Sequence, residues 1–262
     1  YIPKICCNLF QLAHQVTDLT IRNCNVKELQ TNCYENEFRY VGSQIDFSFN
    51  QIEIIKKGTF KKLQILQIQL QSNLIKMIEN DAFVSLPNLS IVDLSNNQLK
   101  KINPHAFVDV QILSFLYFDC NDVEFLEEGD FNFTTEHDVH IGLHNNNISY
   151  IEFNAFENQV TGKLSVDLSA NAIQSITENL FDNYIFDYID LGCNPFVDLS
   201  RICKNNCSIK SILVNNNTDW EKFSTWADSN NIKLSSSRCG NKERCKGLKN
   251  VSFKNENSGF YY

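Results

Sequence analysis

Apolar positions recur along most of this chain with a fixed period. One set of apolar residues returns 24 residues later (65 to 89): Ile65, Ile68, Leu70, Ile75, Ile78 and Phe83 become Leu89, Val92, Leu94, Leu99, Ile102 and Phe107. Polar residues alternate with the apolar ones in the middle of each period, as in Gln67-Ile68-Gln69-Leu70. This alternation predicts a half-buried strand. A period in the twenties predicts a solenoid in which each repeat forms one coil.

A recurring asparagine marks the end of each predicted strand. The column consists of Asn50, Asn73, Asn97, Asn121, Asn146, Asn171 and Asn194, with Cys24 in the same place one period earlier. A buried amide needs hydrogen-bond partners, so each asparagine is expected to turn inward and bind backbone groups at the bend. A second column is expected to form a stacked spine under the convex side: Phe60, Phe83, Phe107, Phe131, Phe156 and Phe181.

The predicted fold class is an α/β repeat, a right-handed solenoid of horseshoe shape with a parallel β-sheet on its concave face. The convex side is expected to be irregular, and the length of 262 residues suits about eight coils. One coil cannot bury its apolar face alone, so the ends need caps, which we expect disulfides to staple. The expected segments of this single domain are an N-terminal cap at 1–15, repeats at 16–199, a C-terminal cysteine cap at 200–250 and a tail at 251–262.

The C-terminal cap is predicted to contain one amphipathic helix. Trp220, Phe223, Trp226 and Ala227 recur at helical spacing and are expected to cover the last coil.

Cysteines are numerous and gather towards the two ends. Ten cysteines are typical of a secreted chain rather than a cytosolic one. The disulfide candidates are Cys6, Cys7, Cys24, Cys33, Cys193, Cys203, Cys207, Cys239 and Cys245. Cys120 shares a column with Cys193 three coils away, about 14 Å, whereas the Cα atoms of a disulfide lie within roughly 7 Å. Cys120 is therefore predicted to be a free thiol or to bond another chain.

The composition places the chain outside the cell. N-glycosylation candidates are Asn88, Asn132, Asn147, Asn206, Asn216 and Asn250. The chain begins at Tyr1 without methionine, so we expect that a signal peptide has been removed. A net charge of −8 without a basic run argues against nucleic acid and against direct membrane binding. The expected location is therefore secreted, extracellular or in the ectodomain of a membrane protein.

The repeats resemble those of extracellular leucine-rich-repeat proteins of the receptor type, whose consensus is LxxLxLxxNxIxxIxxxAF. The match is most specific where Ala82-Phe83 and Ala106-Phe107 supply the closing pair. Asn194-Pro195-Phe196 is similar to the opening of a cysteine-flanked C-terminal cap, although Cys203 and Cys207 follow later than in that family. Within the family, the chain looks most like invertebrate Toll-like and mosquito-type leucine-rich immune proteins. The resemblance implies binding of proteins, peptides or glycans.

Outward strand positions define the concave face, and its centre differs from the rest. Most positions are small, polar or acidic, but aromatic and imidazole side chains gather on three adjacent strands, and Gly142 is expected to leave a dent among them. Clustered exposed aromatics mark binding sites. The predicted ligand-binding residues, called the concave patch below, are Ile91, Phe115, Tyr117, Asp119, His140, His144 and Tyr188. The alternative is that these residues merely cover the sheet and that binding uses an edge, a loop or the convex side.

Neither a metal site nor a catalytic centre is predicted. His140 and His144 are four residues apart on a strand, about 13 Å, which is too far to share one metal ion. Asp119 and His144 share a column on adjacent strands, so a carboxylate–imidazole contact could make binding pH-sensitive. No serine or cysteine nucleophile is expected beside these histidines with an orienting partner. The chain is therefore not expected to be an enzyme or to carry a cofactor.

The predicted function is a secreted or ectodomain module that recognises another protein, or a glycan, through the solenoid surface, in immune-type recognition. A rigid curved sheet loses little ordering entropy when it binds. One alternative is a secreted effector or inhibitor that blocks a target protein. Another is a truncated receptor ectodomain or an adhesion protein. The oligomeric state, monomer or dimer, stays open at this point.

Overall fold

The fold is taken from a computed structural model of the chain. It describes residues 4–5, 17–31, 41–131, 134–135, 137–156, 159–160, 162–178, 180–182, 184–195, 202, 208–215 and 220–237.

Ten strands form one parallel sheet along the concave side, in the same order as in the sequence. They are β1 (Asp18–Thr20), β2 (Val41–Asp46), β3 (Gln64–Gln69), β4 (Ile91–Asp93), β5 (Phe115–Tyr117), β6 (Val139–Gly142), β7 (Leu164–Asp167), β8 (Ile185–Asp190), β9 (Ser211–Asn215) and β10 (Lys233–Ser237). The two-residue strand Ser208–Ile209 also pairs with β8. The first eight strands are the eight predicted coils, which confirms the solenoid.

Where the structure describes it, the outer side of the solenoid carries short ladders of two-residue strands. Pairs form between Lys4–Ile5 and Glu28–Leu29, Ile54–Ile55 and Met77–Ile78, Phe125–Leu126 and Tyr150–Ile151, and Thr134–Thr135 and Gln159–Val160. Phe60–Lys61, Phe83–Val84 and Phe107–Val108 form a three-stranded ladder. The convex side is thus made of narrow turns, and β9 and β10 extend the concave sheet beyond residue 199, where the repeats were expected to end.

The recurring asparagines join neighbouring coils. The Asn97 side-chain nitrogen donates to the carbonyl of Leu94 in its own coil at 2.9 Å and to that of Leu70 in the preceding coil at 3.1 Å. Its oxygen accepts the amide of Ile75 at 3.0 Å. The same three-way pattern recurs at Asn50, Asn73, Asn121, Asn146, Asn171 and Asn194. The prediction that these side chains turn inward is confirmed.

The residue before each of these positions has a left-handed backbone. The φ angles run from 54° to 59° at Asn23, Phe49, Ser72, Asn96, Cys120, Asn145, Ala170 and Cys193. An L-residue in this region costs roughly 1–2 kcal/mol relative to a right-handed conformation. No glycine occupies the column, so the turn depends on the hydrogen bonds that the next residue makes.

The predicted phenylalanine spine is present and buried. All six phenylalanines are at most 9% exposed. Ring centroids lie 5.2 Å apart for Phe60 and Phe83 and 4.7 Å apart for Phe83 and Phe107. A second run stacks Phe131 on Phe156 at 5.5 Å. These rings, together with the inward strand residues, make one continuous core through the coils.

The cap helix α1 spans Trp220–Ser229, as predicted. Phe223 and Ala227 are buried in the core, and Trp226 packs against it partly buried. After the helix, the amide of Ile232 donates to the carbonyl of Ala227 at 2.8 Å, and the chain enters β10. No helix among the described residues has both the length and the apolar character that a membrane span requires.

The structure corrects two cysteine predictions. Cys24 is a free thiol that donates to the carbonyl of Arg22 at 3.1 Å, so it is not a disulfide partner. Cys120 is disulfide-bonded, so the prediction of a free thiol was wrong. Cys193 is also disulfide-bonded. Three strand spacings separate Cys120 from Cys193, so each has another partner. The other candidates, Cys6, Cys7, Cys33, Cys203, Cys207, Cys239 and Cys245, lie outside the described residues.

Two of the predicted glycosylation positions can be placed. Asn88 and Asn147 are both exposed. Asn132, Asn206, Asn216 and Asn250 lie outside the described residues.

Replacing Asn97 by alanine should destabilise the solenoid strongly. The change leaves the buried Ile75 amide without a partner, which costs about 1–3 kcal/mol. It also removes one hydrogen bond from the Leu70 carbonyl, which keeps the bond from Asn73. We expect the free energy of unfolding in urea to fall by about 2 kcal/mol. Gln98→Ala, next to it in the chain, is the control and should change stability by less than about 0.5 kcal/mol. Equal stability of the two variants would contradict a structural role for the asparagine ladder.

Candidate functional site

Three strands bring the centre of the concave patch together. Ile91 on β4 is in register with Phe115 on β5, which is in register with His140 on β6. The Phe115 ring lies 6.2 Å from the rings of both Tyr117 and His140, and Tyr117 lies 5.6 Å from His140. Phe115 is 40% exposed although it sits in mid-sheet. We call Phe115, Tyr117 and His140 the aromatic cluster.

The dent predicted at Gly142 is filled. A Cβ atom on Gly142 would lie 2.6 Å from Oδ2 of Asp119 and 2.9 Å from Cδ1 of Tyr117. The missing side chain therefore lets the Asp119 carboxylate and the Tyr117 ring fold over the strand. Gly142 thus shapes the patch by leaving space that Asp119 and Tyr117 occupy, and no open pocket remains there.

Asp119 and His144 do meet, but not through the imidazole. Oδ1 of Asp119 accepts the backbone amide of His144 at 2.7 Å. The prediction that the Asp119 carboxylate contacts the imidazole of His144 was thus wrong, because the backbone amide makes the contact. The side chain of His144 is exposed and turns towards the next strand instead.

A chain of hydrogen bonds runs from His144 through Ser169 to Asp167. Ser169 Oγ donates to Asp167 Oδ1 at 2.6 Å, and His144 Nδ1 lies 2.7 Å from the same Oγ. The hydroxyl has one proton, which it gives to the carboxylate, so Nδ1 must carry a proton and donate. A serine does lie beside this histidine, against expectation. However, Ser169 stands between the imidazole and the carboxylate in this row of hydrogen bonds. Because His144 Nδ1 already carries a proton, it cannot accept the hydroxyl proton of Ser169 as an activating base would.

Tyr188 lies apart from the aromatic cluster. It is in register with Ser165, which in turn faces His140, so two strand spacings, about 10 Å, separate Tyr188 from the cluster. Its hydroxyl donates to Oδ2 of Asp190 at 3.0 Å. Burial, and then the charge of Asp190, raise the pKa of the Tyr188 hydroxyl.

Carboxylates gather around the patch in a partly desolvated setting. Burial raises the pKa of Asp119 to about 7, with the amide of His144 opposing the shift and the charges of Asp167 and Asp93 adding to it. Burial is also the main reason why the pKa values of Asp93 and Asp190 are raised. The pKa of His140 is lowered, again mainly by burial. The patch therefore holds one carboxylate, Asp119, that changes protonation near neutral pH.

Asp167, Ser169 and Asp190 belong to this site and were not among the predicted residues. They occupy outward strand positions, so alternation alone places them on the concave face. Their bonds to His144 and Tyr188 depend on cross-strand register and side-chain rotamers. Among the described residues, no three histidine, cysteine, aspartate or glutamate side chains converge in a way that could hold a metal ion.

Asp119→Asn should change how stability depends on pH. The carboxyl keeps its proton up to about pH 7 in the folded protein but loses it near 3.9 in the unfolded chain. Between these values the folded state binds more protons, so stability from this group is full below about pH 4 and is lost as pH rises through 7. The melting temperature of the variant, relative to wild type, should thus rise between pH 5 and 8 by roughly 5 °C, because two pKa units correspond to about 2.7 kcal/mol.

Asp109→Asn, an exposed carboxylate on the convex side, is the matched control for this scan. Its melting temperature should follow that of the wild type across the same range. A constant offset between Asp119→Asn and wild type at all pH values would contradict the raised pKa.

Comparisons with known proteins agree with this architecture. Residues 67–123 match the family model described as leucine rich repeat. Lumican of Gallus gallus is 31% identical over 195 residues, which cover 69% of this chain and 53% of lumican. Leucine-rich repeats and immunoglobulin-like domains protein 3 of Homo sapiens is 24% identical over 161 residues, covering 61% of this chain and 14% of that protein. The chain thus spans about half the length of the first relative and about a seventh of the second.

Among solved structures, a chain of the octameric complex of Latrophilin 3, Unc5D and FLRT2 is similar, with 15% identity and a TM-score of 0.46. The similarity covers 91% of each chain. The repeat, the stacked parallel coils and the match to the family model together identify this chain as a leucine-rich-repeat protein, similar to extracellular proteins with such repeats.

Proposed function

We propose that this protein binds another protein through its concave face, with the aromatic cluster at the centre of the contact. The observation that carries the proposal is the 40% exposure of Phe115 within a group of neighbouring rings at the middle of the sheet. Exposed aromatic side chains in the centre of a surface supply much of the binding energy in protein interfaces.

The rigidity of the site supports the same proposal. The cluster stands on β5 and β6, which are hydrogen-bonded to neighbours on both sides. Binding would therefore fix only side chains, and the entropy lost on association would be small. The hydrogen-bond chain from His144 to Asp167 holds the rim of the site in place in the same way.

The proposed setting is immune-type recognition by a secreted protein or an ectodomain. Blocking of a target protein by a secreted effector or inhibitor would use the same surface, and so would a receptor ectodomain or an adhesion protein. A glycan is the alternative ligand. The Ser169 hydroxyl donates its proton to Asp167 and not to the imidazole of His144, so the serine is not activated as a nucleophile, and this favours binding over catalysis.

Phe115→Ala combined with Tyr117→Ala should abolish capture of the partner. The test is affinity capture from extracellular fluid with wild type and variant, read by mass spectrometry. The purified partner should then bind the variant more weakly by about 2 kcal/mol or more, roughly 30-fold, because both anchor rings are lost.

Tyr150→Ala combined with Phe153→Ala is the matched control. These residues are also a tyrosine and a phenylalanine, they are 51% and 46% exposed, and they lie on the outer side of the solenoid. The control should capture the partner as wild type does. Equal capture by all three proteins would move the site away from the concave centre.

A further inference from the structure

The charge around the aromatic cluster is of one sign. The outward positions of β4 to β8 and the residues that end these strands, all described, carry Asp93, Asp119, Asp167 and Asp190. They carry no lysine or arginine. A further carboxylate, Asp187 at the irregular start of β8, is paired with Lys210 instead. The four carboxylates therefore share the surface next to the exposed Phe115 ring without a fixed cation among them.

Several carboxylates elsewhere on the solenoid are paired with cations across coils. Lys57 binds Asp81 at 2.7 Å and Lys76 binds Glu53 at 3.0 Å on the outer side. On the concave face, Arg22 lies 3.4 Å from Asp46 near the N-terminal end of the sheet. The central carboxylates bind neutral donors instead.

These neutral donors hold the carboxylates in place without cancelling their charge. Asp119 accepts the amide of His144, and Asp190 accepts the amide of Gly192, each at 2.7 Å. Asp167 accepts the amide and the hydroxyl of Ser169. The positions are thus fixed before any partner arrives. A cation placed among these groups would favour the charged form of Asp119, whose pKa burial raises to about 7.

The geometry sets three of the four carboxylates side by side along neighbouring strands. Asp119 leans over Gly142 on β6 and therefore points towards β7, where Asp167 lies in register with Gly142. Asp167 is in turn in register with Asp190 on β8. Because these side chains do not form a metal-ligand group, the cation that suits them is an organic one, a guanidinium or ammonium group. The Tyr117 ring beside them adds a face on which such a cation can lie.

We propose that the protein partner docks on this face with an arginine or lysine side chain placed among Asp119, Asp167 and Asp190, and with a neighbouring apolar side chain packed on Phe115. This inference rests on the proposed function, since it names the chemistry of the partner for the same surface. The carboxylates select the arginine or lysine of the partner by charge complementarity, and the exposed Phe115 ring selects the neighbouring apolar side chain. The pairing also makes the association sensitive to salt, because salt screens the attraction between the approaching cation and the acidic face.

The test is a selection of random peptides displayed on phage against the immobilised wild-type protein. Peptides that also bind the Phe115→Ala, Tyr117→Ala variant are removed. The remaining peptides should be enriched in arginine or lysine next to an aliphatic or aromatic residue. The best one is then synthesised in two forms, with arginine and with its neutral analogue citrulline, or with lysine and acetyl-lysine.

The protein variant for the affinity measurement is Asp119→Asn combined with Asp190→Asn. Asparagine keeps the oxygen that accepts the backbone amides of His144 and Gly192, so the fold should persist, as thermal unfolding will check. We expect the charged peptide to bind this variant at least tenfold more weakly than wild type. Asp109→Asn combined with Glu128→Gln removes the same two charges from exposed positions off the concave face and should bind as wild type does.

The outcomes separate the two proposals. Peptides that depend on the aromatic cluster but lack lysine and arginine would overturn the cation and leave the proposed function standing. The same holds if the charged and neutral peptides bind equally, a comparison that needs no protein variant. Recovery of no cluster-dependent peptide would overturn both proposals.

Discussion

The asparagine at the end of each concave strand is the interaction on which the rest of the structure depends. Its amide satisfies backbone groups of its own coil and of the coil before, as Asn97 does with Leu94, Leu70 and Ile75. These bonds hold a left-handed turn that non-glycine residues would otherwise avoid. They also set the stacking distance and register of the coils, and therefore the shape of the sheet that faces outward.

A fixed register turns the sequence into a surface. Since each coil adds one strand in the same orientation, residues that are about 24 positions apart become neighbours, as Ile91, Phe115 and His140 do. The buried phenylalanine columns on the other side fill the core, so the side chains on the concave face are not needed to pack it. Aromatic and acidic side chains can therefore gather at the centre of the sheet, where the desolvation of Asp119 is their cost to the fold. This is where the binding proposals lie.

The structure departs from the expectations of the sequence in three places. The absence of a Cβ atom at Gly142 lets Asp119 and Tyr117 fold inward, so the expected dent is covered. The turn after β6 offers the His144 amide to Asp119 and sends the imidazole to Ser169. Cys120 is disulfide-bonded, although its spacing from Cys193 favoured a free thiol or a disulfide to another chain. Strand spacing excludes only a bond between cysteines of the same column, and it does not constrain bonds to cysteines elsewhere.

The sequence by itself determined the solenoid, the eight coils, the inward asparagines, the phenylalanine spine and the cap helix, because each follows from a local period that repeats. It also determined which residues face the concave side, since alternation on a strand has only two outcomes. Tertiary structure alone decided which of those side chains touch. The contacts among Asp119, His144, Ser169 and Asp167 join residues from three different coils, and their rotamers depend on the exact offset between strands. A repeat pattern fixes that offset to within a residue, whereas a hydrogen bond requires it to within a fraction of an ångström.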